Sequence, residues 1–110
     1  MKITNEQIND LVVCALEGGI NYWCNDATVT TQPIGTYEYA SDVISMDGII
    51  TITDDCGNKH ELNKEKFLKG IEKAMKNYDY ETFEELFDNH DEEITDVIIQ
   101  YAIFDEIIYG

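Results

Sequence analysis

The chain has no arginine, and its seven lysines face 23 aspartates and glutamates, giving a formal net charge of −16. DNA, RNA and anionic membrane surfaces are held by cationic side chains that neutralise phosphates, so this composition argues against direct binding to any of them. Long apolar runs are also missing. None reaches the roughly 18–20 residues of a membrane span, and the first residues lack the basic-then-apolar order of a secretory signal. The expectation is a soluble protein of the host-cell cytoplasm. Cysteine is sparse and odd in number, and Cys14, Cys24 and Cys56 are too irregularly spaced for a disulfide framework. Cys14 falls among apolar neighbours, while Cys24 and Cys56 are predicted near turns. Histidine is limited to His60 and His90. Cys56 and His60 make a lone zinc half-site, with no CxxC or HxxxH pair to complete it. Asp54, Asp55 and Asn58 lack the spacing of a calcium loop. There is no glycine-flanked serine of the nucleophile-elbow type and no glycine-rich phosphate loop. These absences predict a protein that is not an enzyme and uses neither metal nor cofactor.

What is present is enough to fold. Seven tyrosines, four phenylalanines, one tryptophan and a hydrophobic content of 44% offer the apolar surface needed to offset chain entropy. At 110 residues the expectation is a single domain, residues 1–110, with one core.

Thr4 and Gln7 fit a capping box ahead of Ile8, Leu11, Val12, Ala15 and Leu16 at helical spacing, and Gly18-Gly19 ends that helix. Residues 20–53, rich in threonine, tyrosine and β-branched side chains and holding the single proline, Pro33, read as mostly strand. Ala27–Thr31 and Ile49–Thr53 are the clearest strands, and Asp55-Cys56-Gly57-Asn58 turns the second into Lys59–Leu62 as a hairpin. Asn63 caps a helix with an apolar stripe of Phe67, Leu68, Ile71, Ala74 and Met75. Asp79 is predicted to cap a short third helix. Asp91, Glu92 and Glu93 mark the start of a fourth, where the helix dipole favours negative charge. Residues 107–109 either extend that helix or pair as an edge strand. The class is α+β: an N-terminal helix, a small antiparallel sheet, then C-terminal helices.

The charge is unevenly spread. Residues 77–110 carry eleven acids and no lysine, whereas 59–76 carry six lysines. Helix positions four apart lie about 6 Å apart along the axis, so Glu81, Glu84, Glu85, Asp88, Asp91, Glu92, Glu93 and Asp96 are predicted to present a row of negative points. Duplex DNA presents such a row too. A basic, nucleic-acid-binding protein is therefore the expected partner, gripped by salt-sensitive contacts with Tyr80, Tyr101 and Tyr109 as aromatic anchors wherever they are exposed. A solvated, solubilising face is the plain alternative. A second cluster, Glu17, Asn21, Tyr22 and Trp23 with Tyr39, stands at the glycine exit of the first helix. It reads either as a pocket or as a helix cap with a tryptophan core anchor.

Ala15-Leu16-Glu17-Gly18-Gly19-Ile20-Asn21-Tyr22-Trp23-Cys24, Tyr39-Ala40-Ser41-Asp42-Val43-Ile44 and Leu62 with Lys66-Phe67-Leu68-Lys69-Gly70-Ile71 resemble small uncharacterised proteins of phages and other mobile elements. The resemblance covers about residues 8–71 and carries no firm activity. It implies the company of phage accessory proteins that counter host defence by binding. The resulting expectation is an inhibitor that blocks a nucleic-acid-binding groove of a host defence complex, as anti-CRISPR proteins of the DNA-mimic type do. The alternatives are a sponge for a small nucleotide signal, with Lys59 or Lys69 offsetting the charge, and a structural phage protein. Oligomeric state is left open.

Overall fold

The Thr4 hydroxyl accepts the Gln7 amide at 3.1 Å while the Gln7 side chain accepts the Thr4 amide at 2.9 Å, the reciprocal cap that starts helix α1, Asn5–Cys14. The computed structural model describes residues 2–33 and 35–110. α1 buries Ile8, Leu11 and Val12, then widens into a π turn over Ala15–Gly19. Strand β1, Cys24–Thr31, pairs antiparallel with β2, Ile49–Asp54, which pairs antiparallel with β3, Lys59–Leu62, in the order β1-β2-β3. In β2 the period of two sends Ile50, Ile52 and Asp54 inward. Helices α2 (Lys64–Asn77), α3 (Phe83–Asp88) and α4 (Glu92–Phe104) follow. The mixed α+β architecture matches the order read from the sequence.

Three local expectations are corrected. Residues 20–53 are not mostly strand. Residues 35–48 add no strand, only a short 3₁₀ turn at Ala40–Asp42. There the Ser45 hydroxyl donates to the Asp42 carbonyl at 3.0 Å, a local bond that competes with sheet pairing. Val43 and Ile44 of this segment are wholly buried. Second, Asp79 does not cap α3. It takes a left-handed backbone, φ 60°, and Tyr80 returns its amide to the Met75 carbonyl, so Asp79 belongs to the stop of α2. Thr82 caps α3 instead, accepting the Glu85 amide at 3.2 Å. Third, Ile107–Tyr109 neither extend α4 nor join the sheet. Asp105, with φ 64°, ends the helix and the chain folds back over it.

The core lies where sheet, α1, α2 and α4 meet, around Trp23, Phe67, Ile52, Ile71 and Ile98. α2 and α4 cross closely because Gly70 has no side chain. A Cβ there would run into the Ile98 carbonyl and lie 3.1 Å from the Ala102 methyl. Among the described residues no helix is long and apolar enough to cross a membrane.

Candidate functional site

Trp23 is 1% exposed, and a buried indole needs an acceptor for its N–H. Asp96, on the inner face of α4, supplies it at 2.8 Å. The same carboxylate accepts the Tyr22 phenol at 2.5 Å and the Gln100 amide at 2.9 Å. Its other helix neighbour, Thr95, reaches back with its hydroxyl to Cys14 Sγ at 3.4 Å. Both oxygens of Asp96 are thus committed inside the fold, and the side chain is 7% exposed. Asp96 therefore leaves the predicted row of partner-binding acids. Carboxylates bury when several donors converge on them, and here two come from the turn after the π helix and the third, Gln100, from α4 itself.

Gln100 is fully buried and extends the network. Its carbonyl oxygen accepts the amides of Ile108 and Tyr109 at 2.8 and 2.9 Å, and its nitrogen donates to the Tyr109 carbonyl at 3.2 Å. One side chain thereby stands in for a neighbouring strand and ties residues 107–110 onto α4. Tyr109 lies parallel to Trp23, ring centroids 5.1 Å apart, and its phenol donates to Asp55 at 2.8 Å. Tyr109 is consequently a structural clasp, half-buried and engaged, and does not meet the exposure an anchor needs. Tyr80 and Tyr101 are also only half-exposed, with Tyr80 stacked on Tyr78 and the Tyr101 hydroxyl donating to Asn77.

Between the π turn and α4 opens a cavity of about 540 Å³. Gly18, Gly19 and Tyr22 form one wall, Glu92, Glu93 and Val97 of α4 another, and Asn77, Tyr78 and Ile107 close the rim. Gly19 is required for this close approach. A Cβ on Gly19 would sit 2.7 Å from Thr95 Oγ1 and 2.8 Å from the Glu92 carbonyl, and one on Gly18 would strike the Glu92 side chain. The Tyr78 phenol donates to Glu93 Oε2 at 3.0 Å, which fixes that carboxylate. Burial and then the bond to Glu93 raise the Tyr78 pKa above that of a free phenol. Burial, followed by the bond to Asp96, pushes Tyr22 up to about 12.

The pocket cluster read from the sequence does not assemble as one site. Trp23 is core. Tyr22 lines the 540 Å³ cavity, Asn21 borders a separate hollow of about 340 Å³ with Leu16 and Cys24, and Glu17 and Tyr39 border a third of about 200 Å³. The turn from Ile20 to Cys24 points successive side chains in different directions, so neighbours in sequence part company. What the sequence did not single out is that Tyr78 and Asn77, at the end of α2, meet Tyr22 across this cavity. Only the α2–α4 crossing brings them there.

The remaining acids fall into two ordered groups. Glu81, Glu84, Glu85 and Asp88 are exposed in and just ahead of α3, with Lys2 beside Glu81 and Glu84. Asp91, Glu92 and Glu93 are exposed at the start of α4, where Asp91 accepts the Ile94 amide at 2.9 Å as N-cap. Elsewhere, buried Asp54 accepts the amides of Cys56 and Asn58 and bonds His60 Nε2 at 2.9 Å. The His60 bond leads the effects that hold its carboxyl below the usual range. Among the described residues Asp54, Asp55 and Cys56 form the one close trio of ligand-type side chains, but one Asp54 oxygen is engaged in shaping the turn and the other with His60 on β3. No family model, curated protein or solved structure matches the chain.

Proposed function

We propose that the chain is a non-enzymatic binding protein whose anionic helices α3 and α4 enter a cationic, nucleic-acid-binding groove of a host protein, in the manner of phage inhibitors that mimic DNA. The observation that carries this reading is the placement of seven exposed carboxylates, Glu81, Glu84, Glu85, Asp88, Asp91, Glu92 and Glu93, on or beside side-chain-capped helices. Residues 77–110 supply no lysine to neutralise them. Like charges at helical spacing oppose one another by a few tenths of a kcal/mol per pair, a cost that a basic groove would turn into attraction. Rigid presentation adds to this, since ordered charges pay less entropy on docking.

The nucleotide-sponge alternative is disfavoured by the same chemistry. The 540 Å³ cavity is bordered by Glu92, Glu93 and Asp96 and, among the described residues, by no lysine, so a phosphate entering it meets repulsion. Lys69 is occupied with Glu65 on the exposed face of α2.

The test is capture of partners from a bacterial lysate at low salt. The reading expects a nucleic-acid-binding protein that duplex DNA displaces and whose affinity falls steeply between about 50 and 200 mM salt, as phosphate-type contacts do. Charge-neutral substitution of Glu81, Glu84, Glu85 and Asp88 should weaken that binding. A partner retained equally at high salt and in the presence of competing DNA would overturn it.

A further inference from the structure

We infer that the 540 Å³ cavity is a socket for a guanidinium group, an arginine side chain presented by a protein partner; the inference rests on the reading above that the partner is cationic. Charge comes first. Glu92 and Glu93 border the cavity from the first turn of α4, and the Tyr78 phenol holds Glu93 by one oxygen at 3.0 Å, leaving the other oxygen to accept. Among the described residues no lysine or histidine lines it. Asp96 also borders the cavity and adds negative charge, while its own oxygens stay committed to Tyr22, Trp23 and Gln100.

Surface chemistry narrows the cation. Three tyrosines, Tyr22, Tyr78 and Tyr109, line the cavity together with Val97 and Ile107. A strongly hydrated ammonium gains little from such walls. A planar guanidinium on an aliphatic stem stacks on aromatic faces, buries its methylenes against apolar side chains and pairs its fork with carboxylates. A bare metal ion would need several convergent oxygens, and the close trio of ligand-type side chains lies elsewhere, at Asp54–Cys56.

The rim points the same way. Tyr22 is 58% and Ile107 41% exposed, large apolar groups flanking the mouth of an anionic hollow, as at interfaces where an arginine anchor is ringed by apolar contacts. Gly18 keeps the mouth in shape, because any side chain there would displace Glu92.

The probe is N-acetyl-arginine-N-methylamide, titrated into the whole chain and followed by amide NMR shifts. Its neutral isostere, the citrulline derivative, and the lysine derivative serve as comparators. The expected result is saturable shifts at Gly18, Gly19, Tyr22, Tyr78 and Glu93, with both comparators weaker by about tenfold or more. Glu92→Gln with Glu93→Gln should lose the arginine response by a similar factor. Glu84→Gln with Glu85→Gln, on α3, should keep it. Because the comparators are read on the unaltered protein, a variant that folds poorly does not decide the matter. Equal response to arginine and citrulline derivatives, shifts centred on α3, or a lysine derivative binding as well as arginine would each overturn the assignment. If the probe fails while partner capture stays salt- and DNA-sensitive, the socket is wrong and the acidic-face reading stands. If the probe binds but no cationic partner is captured, the reverse holds.

Discussion

Trp23 and Asp96, 73 positions apart in the chain, are joined by an indole-to-carboxylate hydrogen bond of 2.8 Å in the interior. That bond fastens the turn after α1 to α4, and the cavity wall depends on it. Removing the acceptor strands the Trp23 N–H and releases the Tyr22 phenol and the Gln100 amide. Asp96→Ala is expected to cost about 3 kcal/mol, the scale of a buried donor left unsatisfied plus lost bonds to a charged group. For a domain of this size the melting temperature should fall by roughly 15 °C. Asp96→Asn keeps one acceptor oxygen and should lose less. Thermal melts checked against exposed Glu84→Ala, expected to stay within about 0.5 kcal/mol of the parent, measure the difference. An Asp96→Ala variant as stable as Glu84→Ala would show the network to be unimportant.

Gln100 should control the segment that covers Trp23. Gln100→Leu keeps the volume but removes the bonds to Ile108, Tyr109 and Asp96, at a cost of about 2 kcal/mol. Tyr109 should then lift from the indole. With one tryptophan in the chain, emission reports this directly: a red shift, with easier proteolysis after Phe104, is expected. Unchanged emission would mean that the Tyr109–Trp23 stack alone holds the segment.

Gly70 gives a prediction of sign. Glycine to alanine inside a helix ordinarily stabilises by about 1 kcal/mol. Here the new methyl would meet the Ile98 carbonyl and Ala102 of α4, so Gly70→Ala should destabilise, and urea denaturation should show a lower midpoint with little change in slope. A rise in midpoint would mean that α2 and α4 can separate at little cost.

Alkaline titration should resolve late tyrosines, with Tyr109 and Tyr22 joining Tyr78 above the free value. The bond to Asp55 leads the effects that push Tyr109 up to about 12, and burial leads those that bring Tyr22 to about 12. A phenol whose folded pKa is raised contributes stability that is complete below the free value of about 10 and is lost as pH rises through the folded value. Absorbance at the phenolate band should therefore show these two ionising above the free value of about 10, and Tyr22→Phe should remove one late step. Loss of a step near the free value instead would break the link to Asp96.

Local chemistry was legible at most element boundaries. Thr4 with Gln7 and Asn63 each cap the helix expected of them, the acids at 91–93 open the fourth helix as read, with Asp91 as its cap, and the Asp55–Asn58 turn joins β2 to β3 as read. These are short-range bonds, fixed by residues within one helical turn of each other. Where competing local signals lay side by side, the reading failed. Asp79 and Thr82 both suit a cap, and only the left-handed backbone at Asp79 decides for Thr82. The strand prediction over 20–53 failed because β-branched composition does not distinguish a paired segment from a loop that plugs the core with Val43 and Ile44.

The sequence by itself determined the α+β order, the core-forming stripes and the excess of carboxylates after residue 77, because periodicity, capping and charge are properties of neighbouring residues. Which of those carboxylates reach solvent was decided only by the tertiary structure. Asp96 reads like its neighbours Glu92 and Glu93, yet Trp23, Tyr22 and Gln100 draw it inward. The cavity is likewise a product of packing. The missing side chain of Gly19 lets the π turn approach α4, and the α2–α4 crossing at Gly70 sets Tyr78 opposite Tyr22, contacts between distant segments that no local pattern encodes.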